Sequence, residues 1–216
     1  MRTKTPYPAL AFAIALLLAF AGLSNASTIV DDFSKANSRY DEPEMRSIIE
    51  ENKRKIPGEI DALFDEALKP GTGKEDREAV FYIIERMARV YTDVTGDMKL
   101  LKKVKKRTFE SRLTPPVRLT PTGGVHVVET LSTDRVKNFF KPDNIIIKKG
   151  EAVKWVNNDR DAHLLASILS GIGKGGIISP RIEPGQSWEH RFTKPGDYYY
   201  ICFIHKVMYG KVTVER

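Results

Sequence analysis

Apolar residues recur every three or four positions from about Glu42 to Leu113, and every second position in short runs beyond Val125. This change of period divides the chain into two parts. Between Arg77 and Asp93, the residues Val80, Ile83, Ile84, Met87, Val90 and Tyr91 share one helical face. Asp61 to Leu68 repeats the pattern with Leu63, Phe64, Ala67 and Leu68. Met98 to Phe109 predicts a last helix with Met98, Leu101, Val104 and Phe109 inward. Pro43 sits near a helix start, and Ile56-Pro57-Gly58 marks a kink or break. Lys69-Pro70-Gly71-Thr72-Gly73 reads as a helix-to-helix turn.

Thr114-Pro115-Pro116 through Gly123-Gly124 is a connector bearing Pro and Gly. Strands are predicted after it at 125–130, 144–149, 152–157, 163–169, 187–192, 198–201 and 211–215, with Glu183-Pro184-Gly185-Gln186 and Lys194-Pro195-Gly196-Asp197 as tight turns. Trp155, Phe192, Tyr199 and Val212 should supply core. The fold class expected is α+β in two parts, a helical region over 27–113 and an all-β sandwich over 125–216, joined by a linker over 114–124.

Residues 1–26 read as an export signal. Arg2 and Lys4 give a positive start, Ala9 to Leu23 is apolar, and Ser24-Asn25-Ala26 resembles a cleavage site. The apolar run is shorter than the roughly twenty residues a membrane span needs. A periplasmic or otherwise exported protein is therefore expected, with no span after cleavage; left uncleaved, the segment would tether it.

Charge is uneven. Ser27 to Pro116 holds eighteen basic and eighteen acidic residues, whereas Val117 to Arg216 holds fifteen basic and ten acidic. The cluster Lys102-Lys103-Val104-Lys105-Lys106-Arg107 could suggest nucleic acid, but export and the neutral balance of its half favour a solvated helix face. The basic second half would be steered towards an acidic partner.

The chemistry concentrates near the C-terminus. Cys202, the one cysteine of the chain, begins the spacing C-x-x-H-x-x-M with His205 and Met208. A thiolate, an imidazole and a thioether are soft ligands that suit copper, and His163 is the best candidate for a second imidazole. One cysteine excludes an internal disulfide and a binuclear copper centre with two bridging thiolates. Four histidines are too few for a multicopper oxidase. Gly171-Ile172-Gly173-Lys174-Gly175-Gly176 satisfies G-x-G-x-x-G, but Ile177-Ile178-Ser179-Pro180 follows where a dinucleotide site needs a helix. His126 and His190 read as surface or structural residues. The methionines at 45, 87 and 98 read as core filler.

From about Gly124 to Arg216 the chain resembles a cupredoxin of the plastocyanin, amicyanin and pseudoazurin group. The likeness rests on the run Phe140 to Glu151, on Val153-Lys154-Trp155-Val156-Asn157, on His163, on Glu183-Pro184-Gly185 and on the Cys202 loop. It implies a Greek-key sandwich holding one type-1 copper ion on His163, Cys202, His205 and Met208. Ala162, Leu164 and Ile204 stand where the family often has Pro, Asn and Pro, so the surroundings of the ligands depart from its pattern. The function implied is one-electron transfer rather than enzymatic catalysis. The partner would be a redox protein, with an acidic cytochrome or oxidoreductase as candidate. A second class is a module that senses, buffers or delivers copper. The helical region, which has no His or Cys, would serve docking or oligomerisation in either case.

Overall fold

Five helices precede the strands in the computed structural model, which describes residues 27–133, 138–168 and 176–216. The expected export signal and nearly all of the glycine-rich run at 171–176 lie outside the described residues. Helix α1 is Thr28–Ser38, α2 Glu42–Asn52, α3 Ile56–Ala67, α4 Lys74–Thr95 and α5 Met98–Glu110. Local chemistry sets their ends. The Asp41 carboxylate accepts the Glu44 N–H at 3.1 Å, an N-cap of the kind that contributes about 1 kcal/mol. Pro43 and Pro57 sit in first turns, where a missing N–H costs nothing, so the expected break at Ile56 is the start of α3. Gly96 closes α4 in the left-handed conformation at φ 74°, which a residue with a Cβ rarely adopts.

Val30 and Phe33 of α1, Ile49 of α2 and Phe64 of α3 join Ile84 and Met87 of α4 in one buried cluster with Leu101 and Val104 of α5. Two expected core positions are corrected. Leu68 follows the last turn of α3 and is exposed, and Met98 begins α5 exposed while Leu100 turns inward instead. Met45 and Met87 are buried, as core filler should be. Helix α1 lies within the region expected to be helical over 27–113, although Val30, Phe33 and Ala36 form too short a periodic run to mark it individually. Within the basic cluster, Lys103 and Arg107 bind Asp61, and Arg107 also binds Asp65. These are half-exposed pairs worth little individually, and they make a solvated face of the kind expected.

The chain divides into two compact units, Met1–Thr108 and Phe109–Arg216. In the second, strands β1 Val125–Leu131, β2 Phe139–Lys141, β3 Asn144–Lys148 and β4 Ala152–Asn157 are followed by β5 Leu165–Ile168, β6 Ser187–Arg191, β7 Gly196–Cys202 and β8 Tyr209–Glu215. They form two four-stranded sheets, in the orders β2-β1-β4-β6 and β3-β8-β7-β5. The pairs β1·β4 and β3·β8 are parallel, and the other strand pairs are antiparallel. Burial alternates along the strands. Val153 and Trp155 on β4 and Val212 and Val214 on β8 turn inward, as do Tyr198, Tyr200 and Cys202 on β7.

Tyr199 is buried too, but on the opposite face of β7. Phe109 covers it edge-on at 5.4 Å, and its hydroxyl donates to Glu110 at 2.6 Å. The short β2 was not anticipated, because Phe139-Phe140-Lys141 shows no alternation. In the segment expected as a connector, Val117 exchanges backbone hydrogen bonds with β3 through Asn144 and Ile146, each at 3.0 Å. Arg118 there binds the Glu215 carboxylate. His126 is buried on β1, its Nε2 2.8 Å from a Glu151 oxygen, which makes it structural. His190 stacks on Trp188 with ring centroids 5.6 Å apart.

Candidate metal centre

Alternation along β7 turns the Cys202 side chain into the sandwich at the strand's last residue. The chain then loops through His205 and Met208 before β8 begins at Tyr209. This turn is tight. The Met208 N–H donates to the His205 carbonyl at 3.0 Å, and the Cys202 N–H to the Met208 carbonyl at 3.3 Å. His205 also donates its backbone N–H to the Cys202 sulfur at 3.4 Å.

His163 arrives from the other side of the site, after β4. Its backbone exchanges two hydrogen bonds with Ile182, at 3.0 and 2.7 Å. Asn157 fixes the approach to it. The period of β4 turns this amide inward, and a buried amide must find partners. Asn157 Oδ1 accepts from the Thr130 hydroxyl and the Asp159 N–H, both at 2.9 Å. Its Nδ2 donates to the carbonyls of Asp161 at 2.8 Å and Ile182 at 3.0 Å. The two ligand loops are tied by backbone: the Phe203 N–H donates to the Leu164 carbonyl at 2.7 Å.

Three donor atoms converge. Cys202 Sγ lies 3.6 Å from His163 Nδ1 and 3.7 Å from His205 Nδ1, and the two nitrogens are 3.3 Å apart. The circle through the three atoms has a radius of about 2.0 Å. Metal–imidazole bonds of about 2.0–2.1 Å and metal–thiolate bonds of about 2.3 Å fit such a circle with little adjustment. A borderline-soft cation suits the set of two nitrogens and one sulfur. Sequence-predicted His163, Cys202 and His205 are thus brought together, and Met208 is buried in the same loop.

His163 is fully buried, and burial together with the nearby His205 ring holds its pKa below the usual imidazole range. It therefore stays neutral, with a lone pair for a metal. His205 lies at the rim, its side chain 19% exposed, among the exposed side chains of Phe203, Ile204 and Val207. Asn157 and Asp159 were missed as supporting residues. The available signal was Asn157 itself, a polar residue at an inward position after Val153 and Trp155.

The fold and this cluster together define a β-sandwich protein with a mononuclear site for a soft metal. A family model of copper-binding proteins, the plastocyanin/azurin family, matches residues 127–215. Plastocyanin of Scenedesmus fuscus is 31% identical over 97 residues, which is 41% of this chain and 99% of that protein. The chain belongs to the plastocyanin/azurin family of copper-binding proteins. Amicyanin of Paracoccus denitrificans is 29% identical over 82 residues, 38% of this chain and 63% of its own length. The chain thus spans a little under two thirds of that relative. Among solved structures, a mutant of amicyanin in its reduced Cu(I) form at pH 4 is 27% identical, with a TM-score of 0.38 over 43% of this chain and 83% of that one. Copper is the cofactor, and His163, Cys202 and His205 form a potential site for it, as for a type-1 ion.

Proposed function

We propose that the protein is an exported carrier of single electrons, in which Nδ1 of His163, Nδ1 of His205 and the Cys202 thiolate would hold one copper ion, with the Met208 thioether as a further, weaker ligand. The observation that carries this reading is the convergence of two imidazole nitrogens and a sulfur, with His163 and Cys202 fully buried. Bound there, copper supplies a one-electron couple. The protein's part is to hold the donors in one geometry, exclude water from His163 and Cys202, and present the His205 edge at the surface. The apolar side chains of Phe203, Ile204 and Val207 around that edge suit brief docking to a redox partner. Delivery of copper would call for an open, exchanging site, and the burial of His163, Cys202 and Met208 argues against it.

The deciding experiment loads the purified protein with Cu(II) and records its absorption and its voltammetry. An intense visible thiolate-to-copper band at one copper per chain, with reversible one-electron cycling, is expected. Colourless bound copper that passes readily to a chelator would sink the carrier reading and favour delivery. Export is supported by the N-terminal sequence pattern, and no helix among the described residues is long and apolar enough to cross a membrane.

Met208→Gln should keep copper bound and shift the reduction potential downward, because a weakly bonding thioether would tune the metal more than anchor it. Equilibrium dialysis and voltammetry test this, and loss of most copper would show that Met208 is an anchor. The helical unit is read as a docking or oligomerisation element. A fragment covering 109–216 keeps the pairing of Val117 with β3 and should fold and show the copper band unaided. Set against the mature chain by sizing and stopped-flow mixing, it should differ in mass or in electron exchange with the native partner. Equal mass and equal exchange would remove the proposed role of the helices.

A further inference from the structure

A short segment ahead of the family-matched stretch grips both strands that carry the ligand loop. Phe109 and Glu110 end α5 and open the second compact unit, and Arg112 follows two residues on. Phe109 is buried against two tyrosines, meeting Tyr199 edge-on with ring centroids 5.4 Å apart and Tyr209 edge-on at 5.1 Å. The Arg112 guanidinium lies over the Tyr209 ring, 4.9 Å from its centroid. Glu110 accepts the Tyr199 hydroxyl at 2.6 Å and the Lys211 ammonium at 2.8 Å. Tyr199 stands on β7 three residues before Cys202, and Tyr209 opens β8 directly after Met208. One segment thus holds the strand that enters the ligand loop and the strand that leaves it.

We propose that Phe109 is a positioning residue for the copper centre, the wedge of a strap over 109–112 that keeps the base of the ligand loop closed. The inference rests on the proposed function, in which Cys202 and Met208 bind the ion from the two sides of that base. The bond that closes the base runs from the Cys202 N–H to the Met208 carbonyl at 3.3 Å. This is longer than the usual N–H···O distance of about 2.9–3.0 Å, so the bond is weak by itself. Opening it moves the start of β8, and with it Tyr209, away from Phe109. The edge-on ring pairs are lost in the open state, so their attraction favours the closed one. A closed base keeps the donors in one arrangement between metal-binding events.

Phe109→Leu keeps an apolar body and removes the ring. In the metal-free protein, amide hydrogen exchange at Cys202 should become roughly 3–10-fold faster, the factor carried by an edge-on aromatic pair. Exchange at Lys149, whose N–H donates to the Glu215 carbonyl at the other end of β8, should match wild type. Copper-loaded Phe109→Leu should release Cu(I) to a chromogenic chelator faster by a similar factor. Tyr209→Leu should reproduce both effects, and the double variant should add little, because the ring pair is already gone. If Phe109→Leu does not fold, Tyr209→Leu decides alone. Equal speeding at Cys202 and Lys149 would mean a general loss of stability, and unchanged exchange at Cys202 would mean that the ring only fills space. Either result overturns the proposal. A wild type that lacks the visible band defeats the copper-carrier reading instead, and exchange in the metal-free protein still judges the strap.

Discussion

Cys202→Ser should abolish the visible band entirely and weaken copper binding by at least about a hundredfold. Even outer partners of metal ligands are worth roughly 10–100-fold in affinity, and Cys202 supplies the sulfur of the cluster itself. Serine preserves the approximate shape but offers a hard, weakly acidic oxygen in place of a polarisable thiolate. The sandwich should survive. Cys202 sits at the last residue of β7, and its strand pairing with Leu165 and its N–H bond to Met208 run through backbone. The new hydroxyl replaces a sulfur that accepts the His205 N–H, so the cost of burying it stays within about 1–3 kcal/mol. Far-UV circular dichroism and thermal melting of the metal-free variant check the fold, and titration with Cu(II) checks the site. A variant that keeps its colour would show that the absorbing bond does not involve this sulfur.

The convergence of His163, Cys202 and His205 was legible because soft donors at short spacing in a chain with one cysteine have few other uses. Alternation along β7 turns Cys202 inward with Tyr198 and Tyr200, a phase that the expectation of a core Tyr199 did not foresee. The two-part division followed from the change of hydrophobic period. Less legible were features that depend on contacts remote in sequence. Tyr199 was expected in the core, and it is buried on the outer face of β7, under Phe109, some ninety residues earlier in the chain. Met98 and Leu68 fit the helical period but stand at helix ends, where the chain turns away before the face is covered. The supporting role of Asn157 needed the carbonyl of Ile182, which no local pattern indicates. The bond between the His163 and Cys202 loops runs from the Phe203 N–H to the Leu164 backbone carbonyl, which no side-chain pattern indicates.

Gly210→Ala should be among the most damaging single substitutions in the sandwich. Gly210 lies opposite Tyr200 in the register of β7 and β8, and the tyrosine ring crosses the space where a Cβ would stand. A methyl there would meet Tyr200 Cζ at 2.2 Å, its hydroxyl oxygen at 2.5 Å and Cε2 at 2.6 Å. The ring cannot swing aside. It is fully buried, with Phe140 at 5.0 Å and Trp155 edge-on at 5.5 Å, and its hydroxyl accepts the Trp155 indole N–H at 3.1 Å. Overpacking in a closed core costs about 1–3 kcal/mol, and a clash against a pinned ring belongs at or above the upper end. For a unit of this size a loss of about 3 kcal/mol lowers the melting temperature by roughly 12–24 °C. The damage should also reach the metal. Tyr200 is two residues before Cys202 and Gly210 two after Met208, so strands forced apart here spread the ends of the ligand loop. Melting curves and copper titrations on Gly210→Ala, Tyr200→Leu and the double variant separate the clash from general loss of packing. The double variant should be less damaged than the sum of the singles, because removing the ring removes the collision. A Gly210→Ala protein that melts within a few degrees of wild type would show that the β7–β8 pair has slack enough to admit a methyl group.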